Sequence, residues 1–174
     1  MSISALIWST ADLLRGDYKQ SDYGKIILPF TLLRRLECVL EPTRDAVLNE
    51  YEARKRLNVP LEQFLVRKSN NSFYNISKYT LSKLMADSNN IRENLESYIT
   101  SFSANAREVF EKYEFDKQLD KLNENNLLYM IVEKFSSFDL SPEKVSNHQM
   151  GLMFEELIRK FAEASNETAG EHFT

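Results

Sequence analysis

The chain has 174 residues, 43% hydrophobic and 28% charged, a balance that excludes a disordered tract and suits one globular domain with a substantial core. One cysteine, Cys38, excludes an internal disulfide, and one cysteine with two histidines excludes a structural zinc site, so a reducing, cytoplasmic setting is expected. The net charge of −4 divides unevenly: residues 1–87 carry 13 Lys/Arg against 10 Asp/Glu, whereas residues 88–174 carry 9 against 16.

Four glycines and four prolines, with abundant Leu, Glu, Lys and Asn, predict helices joined by short loops. Ser4–Arg15 reads as a short helix with Leu6, Ile7, Trp8, Ala11 and Leu14 inward and Gly16 as terminator. Asp22–Leu40 is apolar on too many sides for a surface helix and is expected at the centre, with Pro29 kinking it or marking its true start. Pro42 opens a third helix through Val47, Leu48 and Tyr51. Val59–Tyr79 reads as the least helical stretch, a loop with a short strand or hairpin near residues 73–79.

From Thr80 onward helices are predicted over Thr80–Asp87, Asn90–Ser101, Ala104–Tyr113, Phe115–Leu122 and Glu124–Phe138, with Ser103 and Ser141 as N-caps. In the last helix Met150, Met153, Phe154, Leu157, Ile158 and Phe161 make one apolar stripe, opposite the pairs Glu155–Arg159 and Glu156–Lys160. The fold class is therefore all-α, an irregular bundle of about eight helices with at most one short hairpin. The longest apolar run, Ile26–Leu33, is too short to span a bilayer, and the start lacks signal-peptide features, so no membrane partner is expected.

Chemistry-bearing motifs are scarce. The glycines are isolated, so no Gly-rich loop exists to cradle a phosphate. No H-E-x-x-H or G-x-S-x-G occurs, His148 and His172 are far apart, and Cys38 lies in an apolar helix where an inert thiol is the simple reading. One charge feature stands out. Between Ala53 and Leu84 the only acid is Glu62, against Arg54, Lys55, Arg56, Arg67, Lys68, Lys78 and Lys83, a net of +6. Such a stretch is either a solvated face or a surface for a polyanion. Phe73 and Tyr74 within it either stack on bases or belong to the core, and Arg34 and Arg35 are candidates for pairing with acids inside the bundle.

Two stretches carry a family resemblance. "WSTADLLRGDYKQSDYGKIILPFTLLRRLE", Trp8 to Glu37, resembles the start of the modification subunits of type I restriction–modification systems. "MGLMFEELIRKFAEASNETAGEHFT", Met150 to Thr174, resembles that family's junction between an N-terminal helical domain and the catalytic domain, where F-E-x-L-I-R-K-F leads into G-E-x-F-T-P. "FYNISKYTLSKL" fits the family as well.

The resemblance implies an adenine-specific DNA methyltransferase subunit that uses S-adenosylmethionine. It implies a helical domain over residues 1–164 and, over 165–174, the start of a linker into a catalytic domain. Glu171, His172, Phe173 and Thr174 would be one wall of the cofactor site. The glycine loop and the Asn-Pro-Pro-aromatic tetrapeptide of the catalytic domain are absent from these residues, so no catalytic residue is expected among them and the 174 residues alone are expected to be inactive. The implied partners are DNA, a specificity subunit, a second modification subunit and, in the full complex, a restriction subunit. The domain is then a clamp on DNA phosphates, with Arg54, Lys55, Arg56, Arg67, Lys68, Lys78 and Lys83 touching them, or a protein-docking module that never touches DNA.

Overall fold

The computed structural model describes the backbone from Ser2 to Phe173 and the side chains from Ser2 to Phe161. Its α-helices are α1 (Ile3–Leu14), α2 (Gly24–Leu40), α3 (Arg44–Arg54), α4 (Glu62–Ser69), α5 (Leu81–Leu84), α6 (Ile91–Thr100), α7 (Ala104–Lys112), α8 (Phe115–Glu124), α9 (Leu128–Ser136) and α10 (Asn147–Phe173). Short 3-10 turns precede α2, α3 and α6. The all-helical expectation holds, and no strand forms among the described residues. In place of a hairpin, the extended segment after α4 makes one antiparallel bridge to the α6–α7 connection: Ser103 N donates to Tyr74 O at 2.9 Å and Ile76 N to Ser101 O at 3.1 Å.

The helix ends follow local chemistry. Ser2 caps α1 by accepting from Ala5 N at 3.1 Å, and Gly16, at φ 98°, takes the chain out of it. Asn126, at φ 59°, ends α8 in a Schellman arrangement, with Leu127 N donating to Leu122 O at 2.9 Å and Asn126 N to Asn123 O at 3.1 Å. That stop delays the next helix to Leu128, four residues after the expected start. Ser141 with Pro142 opens a single turn and no helix, since Ser141 O accepts only from Lys144 N and Val145 N. The cap of α10 is instead a capping box: Gln149 N donates to Ser146 Oγ at 3.2 Å and Ser146 N to Gln149 Oε1 at 2.8 Å.

Helix α4 corrects the sequence reading, which takes this region for loop. Leu65 is buried, Phe64 and Val66 are half-buried, and the Ser/Asn cluster that suggests a loop is the helix stop, with Asn70 at φ 58° donating to Val66 O. Two residues expected on apolar faces lie outside them: Trp8 is 51% exposed and Ile158 52%.

Helix α2 is the axis of the bundle, as its all-round apolarity predicts. Phe30 on α2 meets Phe115 edge-on with ring centroids 5.0 Å apart, and stacks with Phe135 at 5.5 Å. From Phe115 the rings continue through Phe110, Phe102 and Tyr98, each within 5.8 Å of the next. This run ties α9, α2, α8, α7 and α6 together and returns to α2, because Tyr98 donates its hydroxyl to Glu37 Oε2 at 2.7 Å. The same oxygen accepts from Leu81 N at 2.9 Å, and the other carboxylate oxygen pairs with Arg34 at 2.5 Å.

Arg35, 5% exposed, donates to the carbonyls of Leu140 at 2.9 Å and Val145 at 2.6 Å and to Asn147 Oδ1 at 2.8 Å. It thus fixes the connection into α10. Further along, Phe161 lies against Gly24 so closely that a Cβ there would meet its ring carbon at 2.9 Å.

Glu37 holds three donors from three places in the chain, so its removal leaves a buried amide, a hydroxyl and a guanidinium without their acceptor. Glu37→Ala is expected to cost on the order of 3–5 kcal/mol in urea unfolding. Burial, then the Glu37 charge and the hydrogen bond to it, push the Tyr98 hydroxyl well above its usual range, and burial pushes Tyr18 up to about 12. A raised folded-state value means that stability is full below pH 10 and falls as pH rises above it, since the unfolded chain then releases protons that the fold retains. Tyr98→Phe should flatten that alkaline loss in melting scans between pH 9 and 12 while lowering stability at pH 7 by about 1–3 kcal/mol.

Candidate nucleic-acid interface

Helices α3 and α4 pack chiefly on each other and form a hairpin arm on the bundle. Its base is fixed by Thr43 Oγ1, which donates to Ser69 O at 2.9 Å, and by Arg44, which donates to Lys78 O at 2.5 Å. At ~1.5 Å rise per residue the far end of α3 stands ~15 Å from that base. There the chain turns over through Lys55 to Leu61 before entering α4.

Arg54 belongs to the shaft of the arm. Its guanidinium lies 3.9 Å from the centre of the Phe64 ring on α4, and its Nε donates to Glu50. The arrangement joins the two helices by a cation–π interaction and an ion pair, and leaves Arg54 half-buried. Lys55 pairs with Glu52 at 2.7 Å and stands 5.8 Å from the Tyr51 ring. The Glu52 carboxyl is held below the usual carboxylate range, first by the Lys55 hydrogen bond and then by the charges of Lys55, Lys78 and Arg56. Lys78 itself lies at the start of α3, where its carbonyl accepts from Arg44.

The seven sequence-predicted cations do not form one surface. Lys55 and Arg56 are exposed just past the end of α3, and Lys78 is exposed beside its start, where the Lys78 carbonyl accepts from Arg44. Arg67 and Lys68 are exposed too, at the C-terminal turn of α4, hence at the base of the arm. Lys83 is exposed on α5, which packs on α6 and α9. The net of +6 over residues 53–84 is also local to that window. Across residues 44–69, the arm itself, six Lys/Arg face four Asp/Glu, because Glu50 and Glu52 sit one helical turn before the cations they pair with. Phe73 packs on the main core and Tyr74 is half-buried, its hydroxyl raised first by that burial, so neither is a free stacking platform.

Sequence reasoning misses two features. The first is the apolar end of the arm, where Leu57 is 54% exposed and Val59 43%. The second is Trp8, whose ring carries Lys160 Nζ at 3.8 Å from its centre and is flanked by two grooves between α1 and α10. The larger groove, about 310 Å³, is lined by Ile7, Ala11, Tyr23 and Phe161. Trp8 falls on a helical apolar stripe, and periodicity alone gives no sign that the stripe is wider than the core it faces. The expected cofactor wall, Glu171, His172, Phe173 and Thr174, lies outside the residues whose side chains are described. Among the described residues no group of three His, Cys, Asp or Glu side chains is placed to hold a metal ion, and no helix is long and apolar enough to cross a membrane.

The family model of the HsdM N-terminal domain matches residues 3–135, from the first residue of α1 into the last turn of α9. The chain belongs to the HsdM N-terminal domain family. It is the N-terminal part of a type I restriction–modification modification subunit, the methyltransferase subunit of those systems. No curated protein and no solved structure matches the chain. The HsdM match includes the arm, the central helix and Trp8, and stops before α10.

Arg54 and Arg56 therefore differ in what their removal should do. Arg54→Ala removes both the packing on Phe64 and the Glu50 pair, and is expected to cost about 1 kcal/mol and to speed amide exchange along α4. Arg56→Ala should stay within about 0.5 kcal/mol of the parent in the same thermal and exchange measurements.

Proposed function

We propose that this HsdM N-terminal domain helps to hold the modification complex on duplex DNA through sequence-independent phosphate contacts made by its arm. The observation that carries the reading is a pair of exposed cations, Lys55 and Arg56, just past the end of a hairpin helix braced by Arg54, with a third, Lys78, exposed beside the start of that helix. Exposed ion pairs contribute little to stability, so Lys55 can exchange Glu52 for a phosphate at small cost. Phosphate binding of this kind supplies affinity and register without reading sequence, which suits a complex whose specificity resides in another subunit. Arg67 and Lys68 at the base would meet DNA only if it ran along the arm.

The partners that go with this reading are DNA, a specificity subunit, a second modification subunit and a restriction subunit, in the cytoplasm. The methyl transfer, from S-adenosylmethionine to an adenine amino group, is assigned to chain beyond the helical domain, with Glu171 to Thr174 contributing a wall of the cofactor site by resemblance. On this reading residues 1–174 alone transfer no methyl group, and radiolabel incorporation above blank would overturn it.

A docking role has its own support in Trp8. A half-exposed tryptophan between two grooves is the residue type that anchors protein interfaces. The two roles use different faces, so they separate experimentally. Arg56→Ala with Lys78→Ala, in the assembled complex, should weaken binding on every duplex alike and lower the salt slope by about one unit for each phosphate released. Trp8→Ala should impair assembly of the subunits and leave that slope unchanged. Affinity measured from 50 to 200 mM salt decides: an unchanged slope in the Arg56/Lys78 variant would refute the clamp.

A further inference from the structure

A groove of about 320 Å³ opens between the end of α6, α7 and the start of α8, with the buried side chains Ile99, Phe110 and Phe115 as its floor. Its rim carries three exposed carboxylates, Glu111, Glu114 and Asp116, together with Thr100, Arg107 and Lys117. Glu114 makes the turn from α7 into α8 at φ 52°, a conformation that a glycine would take without strain. Lys117 answers Glu114 at 3.3 Å, but both side chains are exposed, so the pair opens at little cost. Among the described residues, Glu111 and Asp116 meet no Lys or Arg nitrogen at ion-pair distance.

The negative charge does not cancel when the neighbours are counted. Arg107 is shared with an adjoining groove that holds Glu62. Arg92, which donates to the Asp116 carbonyl at 3.4 Å, is engaged by Asp120 at 2.8 Å and Glu96 at 3.4 Å. Six carboxylates, Glu62, Glu96, Glu111, Glu114, Asp116 and Asp120, therefore surround three cations, Arg92, Arg107 and Lys117. Residues 87–126, which include α6, α7 and α8, carry nine Asp/Glu against five Lys/Arg. Such a face repels nucleic-acid phosphates and attracts cations.

We infer that this groove docks a Lys or Arg side chain carried by a different protein subunit, its alkyl stem on the Ile99–Phe110–Phe115 floor and its charged head against Glu111 and Asp116. Long cationic side chains bury their stems on apolar surface and keep their heads at a polar rim, which is the division this groove presents. The charge extends past the groove along α6 and α8, so the face fits a macromolecule with several cations better than one small ion. A second copy of the chain brings the same net charge of −4 and is disfavoured as the occupant. The inference is independent of the phosphate reading, which uses the cations of the arm.

The test uses the modification complex with full-length modification subunits. Glu111→Gln with Asp116→Asn removes two exposed charges, so circular dichroism and melting should match the parent. Subunit association, read by sedimentation over a dilution series, should weaken about ten-fold at 50 mM salt, and the deficit should shrink at 500 mM as screening removes the same attraction from the parent. Thr100→Trp fills the groove with its charges intact and should weaken association at both salt concentrations. Glu93→Gln with Glu124→Gln removes equal charge at the far ends of α6 and α8, and should stay within about two-fold of the parent.

A photocrosslinker at Thr100 should mark a Lys- or Arg-bearing segment of another subunit. Unchanged association in either the Glu111/Asp116 or the Thr100→Trp variant would overturn the docking groove. An equal loss in the Glu93/Glu124 variant would replace it with diffuse charge attraction. Crosslinks to DNA alone, or to a second copy of this chain alone, would overturn the occupant. Saturable binding of spermidine to the complex at micromolar concentration, lost in the Glu111/Asp116 variant, would assign the groove to a free polycation instead. The salt slope of DNA binding in the Arg56/Lys78 variant is untouched by any of these results, so the groove and the clamp stand or fall separately.

Discussion

Glu37 is a carboxylate in the last turn of the central helix α2, 5% exposed, and Arg34, Tyr98 and the amide of Leu81 are all directed at it. Burying a charge is costly unless it is paired and its remaining lone pairs are filled. That requirement constrains the fold more tightly than the hydrophobic packing around it. Apolar side chains of α6 and α9 would pack against α2 in several registers at similar energy, whereas only one register brings Tyr98 and the start of α5 to the same carboxylate oxygen. The neighbouring Arg35 performs the corresponding task at the other side of α2. It fills carbonyls of the 138–147 connection that a short irregular segment has no other means of satisfying. Two adjacent arginines thus face opposite problems, one a buried acid and the other a set of buried carbonyls.

Much of this is legible in the sequence for a definite reason. The central position of α2 shows in its apolarity on every side, and the amphipathic helices α6 to α9 show in 3.6-residue spacing that the structure keeps within a few residues. The pairing of Arg34 and Arg35 inside the bundle is also readable, since cations on a helix apolar all round have few other places to go. Arg34 does meet an acid, Glu37. Arg35 does not, because its nearest acceptors are backbone carbonyls, and a sequence does not display which carbonyls a loop leaves unfilled.

The misreadings also have physical causes. Helix α4 is hidden because its stop signal, Ser69-Asn70-Asn71-Ser72, has the composition of a loop yet acts at one residue, Asn70, in the left-handed conformation. Ser141-Pro142 has the composition of a helix start, yet Arg35 captures the Leu140 and Val145 carbonyls and holds the segment in a turn, which passes the cap to Ser146. The cation cluster is smaller than the sequence suggests for a geometric reason. Charges on a helix interact with partners three or four positions earlier, so a window opened at Ala53 includes Arg54 and Lys55 and leaves out the Glu50 and Glu52 that neutralise them.

The corrected charge map makes the arm easier to understand as a mechanical element. If all seven cations had been free, they would have repelled one another along a two-helix hairpin with little core of its own. Placing acids one turn behind Arg54 and Lys55 relieves that repulsion and turns Arg54 into a brace against Phe64. What stays uncompensated is confined to the end of the arm and to the exposed cations at its base. The hairpin is held at both ends: at its base Thr43 donates to Ser69 and Arg44 to Lys78, and at its other end Glu62, the first residue of α4, lies beside Tyr74, Ser103 and Arg107. The Lys78 carbonyl anchors the base by accepting from Arg44, so a change that releases Arg44 would free the start of α3 from the segment that follows α4.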